Sequence, residues 1–108
     1  MDSDSRQGKL VRDRIPQLIR ARGAEPVTYV AEVDEYHSRL RDKLGEEFEE
    51  FLAADEESAL EELADMLEVM HALAAHLGGD SAQLEKIRES KARERGCFAD
   101  RVVWLGNR

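Results

Sequence analysis

Four acidic residues of this 108-residue sequence stand at spacings able to hold a metal ion: Glu47 and Glu50, then Glu62 and Asp65. Residues three apart on a helix are neighbours on one face, so each pair offers two carboxylates to a common point. Carboxylates gathered without a countercharge repel one another and are costly to bury, so a positive group should lie between them. Hard oxygen donors without a cysteine or a histidine pair suit magnesium, with manganese as a substitute, better than zinc. Lys91 and Arg95, four apart, carry the opposite sign and could face a phosphate. Glu68 and His71 spell the E-x-x-H unit of carboxylate di-iron bundles, but no second such unit exists in the chain. His37, His71 and His76 have no serine or cysteine partner that points to covalent catalysis.

Helices must position these acids. Tyr36, Leu40, Leu44, Phe48 and Phe51 recur at steps of four and three, which predicts an amphipathic helix over about 34–54. A second long helix is expected over about 57–77, with Leu60, Leu63, Leu67, Met70, Ala74 and Leu77 as its main stripe and Met66, Val69 and Leu73 widening it. Gly78 and Gly79 end it, and Asp80 with Gln83 resembles a capping box opening a further helix that stops at Gly96. Upstream, Ile15, Leu18 and Ile19 mark a short helix over 13–22, begun near Pro16, and 24–31 reads as an extended connection. On these helices Glu47 falls inside the apolar arc with Glu50 at its edge, and Glu62 falls beside Val69 and Leu73 with Asp65 on the same rim. Glu49, Glu61 and Glu68 turn to solvent. The stripe of Leu84 and Ile87 continues at Lys91 and Arg95, which aims those two cations inward. The apolar run Val102, Val103, Trp104 and Leu105 is expected to dock on the body of the protein.

The expected fold is all-α: one antiparallel helical bundle over 9–108 after a disordered tail over 1–8, completed as a four-helix bundle by oligomerisation. So short a chain buries only about 60–65% of its unfolded surface, which favours such association. Acids outnumber bases by 24 to 16, for a net charge of −8. That argues against a general nucleic-acid or anionic-membrane binder. The charge is segmented: Arg6 to Arg22 is basic, Glu32 to Glu68 strongly acidic, and Glu85 to Arg101 basic again. Helices neutralising one another would give that pattern, and so would a site for a metal-bound polyphosphate. A lone Cys97 closes no intrachain disulfide, the first nine residues are too polar for a signal-peptide core, and no apolar run is long enough to span a membrane, so a cytoplasmic protein is expected.

Three runs carry a resemblance: Lys9-Leu-Val-Arg-Asp-Arg-Ile-Pro16, then Lys43-Leu-Gly-Glu-Glu-Phe-Glu-Glu50 with Glu62-Leu-Ala-Asp65, then Lys91-Ala-Arg-Glu-Arg-Gly-Cys-Phe98. Together they resemble the MazG-like, phosphoribosyl-ATP pyrophosphohydrolase-like proteins. The resemblance implies an all-α nucleotide pyrophosphohydrolase that cuts a nucleoside triphosphate to the monophosphate and pyrophosphate in nucleotide-pool housekeeping. It implies Glu47, Glu50, Glu62 and Asp65 as magnesium ligands and Glu46 as a helper beside them. Glu47 or Glu46 would accept the proton of the attacking water, and Lys91, Arg95, Lys9 and Arg12 would hold the phosphates. It also implies a homodimer or homotetramer. Cys97 stands where relatives often carry a second glycine, a departure that bears on the path of the following loop. Two other readings stay open: a catalytically silent helical module whose acids pair with Lys43, Lys91 and Arg95, and a phosphoribosyl-ATP pyrophosphohydrolase.

Overall fold

The computed structural model describes residues 7–108. Most of the expected N-terminal tail, residues 1–6, lies outside the described residues. Gln7 and Gly8, its last two positions, are held: their carbonyls accept hydrogen bonds from the Arg39 guanidinium at 2.9 and 3.1 Å.

Four helices and no strand make up the described residues: α1 (Ile15–Ala21), α2 (Val33–Ala53), α3 (Glu56–His76) and α4 (Ser81–Arg95). Pro16 sits in the first turn of α1, where its missing N–H costs nothing, and Gly23 at φ 93° turns the chain away after it. Asp34 and Glu35 complement the dipole at the start of α2, and Glu56 and Glu57 do the same for α3. The Asp55 carboxylate caps α3 by accepting from the Ser58 N–H at 2.9 Å. That bond holds the Asp55 carboxyl below the usual carboxylate range. Asp80 caps α4 in the same way through Gln83 N–H at 2.7 Å, and Gly96 at φ 82° ends it.

Only Ala54 and Asp55 separate α2 from α3, so the two long helices fold back as an antiparallel hairpin. This hairpin is the main packing unit, and α4 packs on α3 alone. Leu40 of α2 and Val69 of α3 are the buried apolar residues. The face of α3 turned toward α2 is the line of Glu62, Met66, Val69 and Leu73. The stripe expected to lead, Leu60, Leu63, Leu67, Met70 and Leu77, lies exposed instead, Leu60 at 76% and Leu77 at 72%. The antiparallel bundle is therefore present as one hairpin with α4 appended. The C-terminal run does not dock either: Val102, Val103, Trp104 and Leu105 are all exposed. No helix among the described residues is long and apolar enough to cross a membrane.

Candidate metal centre

The hairpin register brings the acids together. Glu47 lies seven residues before Ala54 and Glu62 seven residues after Asp55, so the two stand at the same height on facing helices. Asp65 follows Glu62 on the same face of α3. One carboxylate oxygen from each of Glu47, Glu62 and Asp65 lies within 4.8 Å of the others. Glu47 is the one buried charged side chain among the described residues, at 7% exposure. Its Oε2 and the Oε2 of Glu62 are buried and accept no hydrogen bond.

Such orphaned oxygens call for a positive partner, because a desolvated acceptor without one is costly. Burial pushes the Glu47 carboxyl up, the charge of Glu50 adds to this, and Lys43 opposes it. Burial also pushes Glu62 up, helped by Glu50, Asp65 and Glu47. The donor set is all carboxylate oxygen, carried on rigid helices and facing one point, which fits a hard divalent cation.

Among the described residues, two cationic side chains reach the cluster. Lys43 Nζ lies 3.5 Å from Glu47 Oε1 one turn earlier on α2, and Arg12 Nη2 donates to Asp65 Oδ1 at 2.7 Å. Glu50, expected as a fourth ligand, is exposed and contributes no oxygen to the close trio, although its charge is felt by both Glu47 and Glu62. Glu46 is exposed beside Glu47 and borders a cavity of about 510 Å³ between the N-terminal segment and α2. Lys9, Arg39, Arg41 and Lys43 line that cavity together with Asp42 and Glu46.

Lys91 and Arg95 are exposed, as are Leu84 and Ile87, and neither forms an ion pair with the acids among the described residues. Among the described residues the cations that touch the cluster are Lys43 and Arg12, while Lys9 and Arg41 line the cavity that Lys43 also borders. Lys43, named from the sequence as a possible partner of the acids, does pair with Glu47 four residues on. Arg41 carried no such signal, since it lies within the acidic segment, where it reads as an isolated surface base.

The family model for phosphoribosyl-ATP pyrophosphohydrolase matches residues 13–92. The chain belongs to this MazG-like family. An uncharacterized protein of Mycolicibacterium smegmatis is 53% identical over 51 residues, which are 47% of this chain and 52% of that protein. The chain thus spans about half the length of that curated relative. No solved structure matches the chain. Within this pyrophosphohydrolase family match lie α1, α2, α3, most of α4 and all four singled-out acids. Lys9, Arg12 and Arg95 fall outside it.

Proposed function

We propose that the protein is a divalent-metal-dependent pyrophosphohydrolase, which adds water across the α–β phosphoanhydride of a nucleoside 5′-triphosphate to release the monophosphate and pyrophosphate. The observation that carries this reading is the trio Glu47, Glu62 and Asp65, with two buried carboxylate oxygens lacking any partner, in a chain of the pyrophosphohydrolase family. Glu47, Glu62 and Asp65 would hold magnesium, or manganese in its stead, with Glu50, whose side chain interacts with both Glu47 and Glu62, as the fourth ligand. Such an ion supplies charge neutralisation for the phosphates and a bound water of lowered pKa. Glu46, the sequence neighbour of Glu47 and part of the cavity wall, would take that water's proton, and Glu47 is the other candidate. Lys9, on the wall of the cavity, and Arg12, which pairs with Asp65, would hold the phosphates. Lys91 and Arg95 carry unpaired charges on α4 and would reach the phosphates from across α3 or from a second copy. The active form would be a cytoplasmic homodimer or homotetramer.

The family description favours phosphoribosyl-ATP as the substrate over an unmodified triphosphate. The bond cleaved is the same, and the extra ribose phosphate would need additional cationic contacts such as those of the cavity beside Lys9 and Arg41. A silent helical module is the third reading, and the Lys43–Glu47 and Arg12–Asp65 pairs are what favour it.

One assay separates the three. Pyrophosphate release is measured with phosphoribosyl-ATP and with a panel of nucleoside triphosphates, in magnesium, in manganese and after chelation. Release that depends on metal establishes the enzyme, and the ratio of kcat/KM values assigns the substrate. No release from any of them under either metal would leave the module.

A further inference from the structure

We propose that Arg12 is an exchangeable counterion of the carboxylate cluster: it neutralises Asp65 in the metal-free protein and passes to the substrate's phosphates when a divalent cation takes its place. The inference rests on the metal-dependent reading above and goes beyond it, since it assigns two successive partners to one side chain that lies outside the family match.

The two cations that touch the cluster are built differently. Lys43 belongs to the same helix as its partner Glu47, four residues away, and most of its side chain is covered. Arg12 reaches Asp65 from a point 53 residues distant in sequence, and it stands in the non-helical segment before α1. Its side chain is 58% exposed and that of Asp65 42%. Lys43 is therefore a fixed charge, and Arg12 is a movable one on a short tether.

The tether is anchored behind it. Arg39 pairs with Glu35 at 2.6 Å and donates to the carbonyls of Gln7 and Gly8. The segment from Gln7 to Arg12 is thus pinned to α2 at one end and to α3 through Asp65 at the other. Between these pins Lys9 and Leu10 form one wall of the 510 Å³ cavity, opposite Arg41, Lys43 and Glu46. Arg12 follows Leu10 by two residues, so a guanidinium that lets go of Asp65 stays on the segment that walls this cavity.

Charge decides the exchange. A guanidinium brings one diffuse positive charge to a single carboxylate, and Glu47 Oε2 and Glu62 Oε2 remain without a partner. A divalent cation brings two charges to a point shared by three carboxylates. A solvent-exposed ion pair is weakly held, so displacement of Arg12 costs only about two- to fivefold in metal affinity. Once released, the planar fork of five N–H donors matches the oxygens of a phosphate better than it matches one oxygen of Asp65. Metal and nucleotide would then bind in an order: metal first, then a phosphate chain met by the freed guanidinium.

The test is a calorimetric titration of manganese and magnesium into the full-length wild type, R12Q and R12K without nucleotide, followed by KM for the triphosphate. Thermal melting establishes that each variant is folded. R12Q is expected to bind metal about two- to fivefold more tightly than wild type, through loss of the competitor, and to raise KM about tenfold through loss of the phosphate contact. R12K, which keeps the charge but loses the fork, should bind metal like the wild type and still raise KM. Unchanged or weaker metal binding by R12Q overturns the exchange and leaves the metal site standing. A wild type that binds neither ion overturns the metal-dependent reading and the exchange together.

Discussion

At the scale of single residues, Glu62 is the most informative position, because among the described residues it has a buried oxygen without a partner and no cation pairs with it. Glu62→Gln removes the charge and keeps the shape. Under magnesium it should depress turnover by about 100-fold or more, and Asp65→Asn likewise, while Glu61→Gln on the exposed face stays near wild type. The same substitution should raise the melting temperature of the metal-free protein at pH 7, since burial and three neighbouring acids hold the Glu62 carboxyl above its ordinary range. The sign follows from linkage: the folded state binds this proton more tightly than the unfolded state, so the penalty is full above the raised pKa and vanishes below the ordinary one. The gap in melting temperature between Glu62→Gln and wild type, measured in chelator, should therefore close as pH falls toward the ordinary glutamate range. Adding magnesium should reverse the order at pH 7, because binding stabilises only the protein that retains the ligands. Equal melting curves at every pH and metal level would remove Glu62 from the site. The acids were legible in the sequence because helical phase alone separates Glu47 and Glu62 from Glu49, Glu61 and Glu68. Lys43 and Arg12 were both named from the sequence, but the contact of Arg12 with Asp65 was not legible, since it joins segments that no periodicity connects.

At the scale of elements, caps and breakers carried most of the information. Asp80, Gly96 and Pro16 act in the structure as their types require, and the bounds of α2 and α3 follow the apolar spacing to within a residue. The facing of α4 was not legible, because a helix with only Leu84, Ile87 and small alanines among its charges has no dominant stripe. Extending that stripe to Lys91 and Arg95 assigned an inward direction that packing does not enforce. One residue in α2 runs against its element: Gly45, in the interior of a 21-residue helix, where glycine costs about 1 kcal/mol relative to alanine. A methyl group there would meet no atom within 4 Å, so packing within the chain gives no reason for glycine. Gly45 lines both the cation-rich cavity and an apolar groove formed by Leu44, Phe48, Met66, Met70 and Leu73, with Arg41 shared between them. Gly45→Ala should stabilise the metal-free protein by about 1 kcal/mol in denaturant melts. A destabilised Gly45→Ala would mean that the helix at this point is shaped by something other than propensity.

At the scale of the whole molecule, the chain carries more surface than a compact monomer needs. The protein exposes 9732 Å², where a compact monomer of its mass would expose about 6,100 Å². Its radius of gyration is 17.9 Å, against roughly 13 Å for a compact domain of this length. The excess lies in identifiable places: the α3 stripe of Leu60, Leu63, Leu67, Met70 and Leu77, the groove beside Phe48, and the C-terminal Val102 to Leu105. The width of the α3 arc was readable in the sequence. Which half of it would face α2 was not, because the choice depends on where α2 places Leu40 and Glu47. Covering one standard interface takes about 800 Å² from each partner, well within the excess. A second hairpin laid on the α3 stripe would complete four helices around one core, and Glu62 and Asp65, on the neighbouring face of α3, would then lie at its border. Light scattering on the eluting peak at micromolar concentration should accordingly report at least twice the 12.3 kDa chain mass. Leu67→Glu, placed in the middle of the stripe, should shift that peak to the monomer and lower the melting temperature, whereas Glu61→Gln on the polar face should leave the assembly intact. A wild type that elutes as a monomer and hydrolyses its substrate at full rate would show that the exposed stripe serves something other than a second copy.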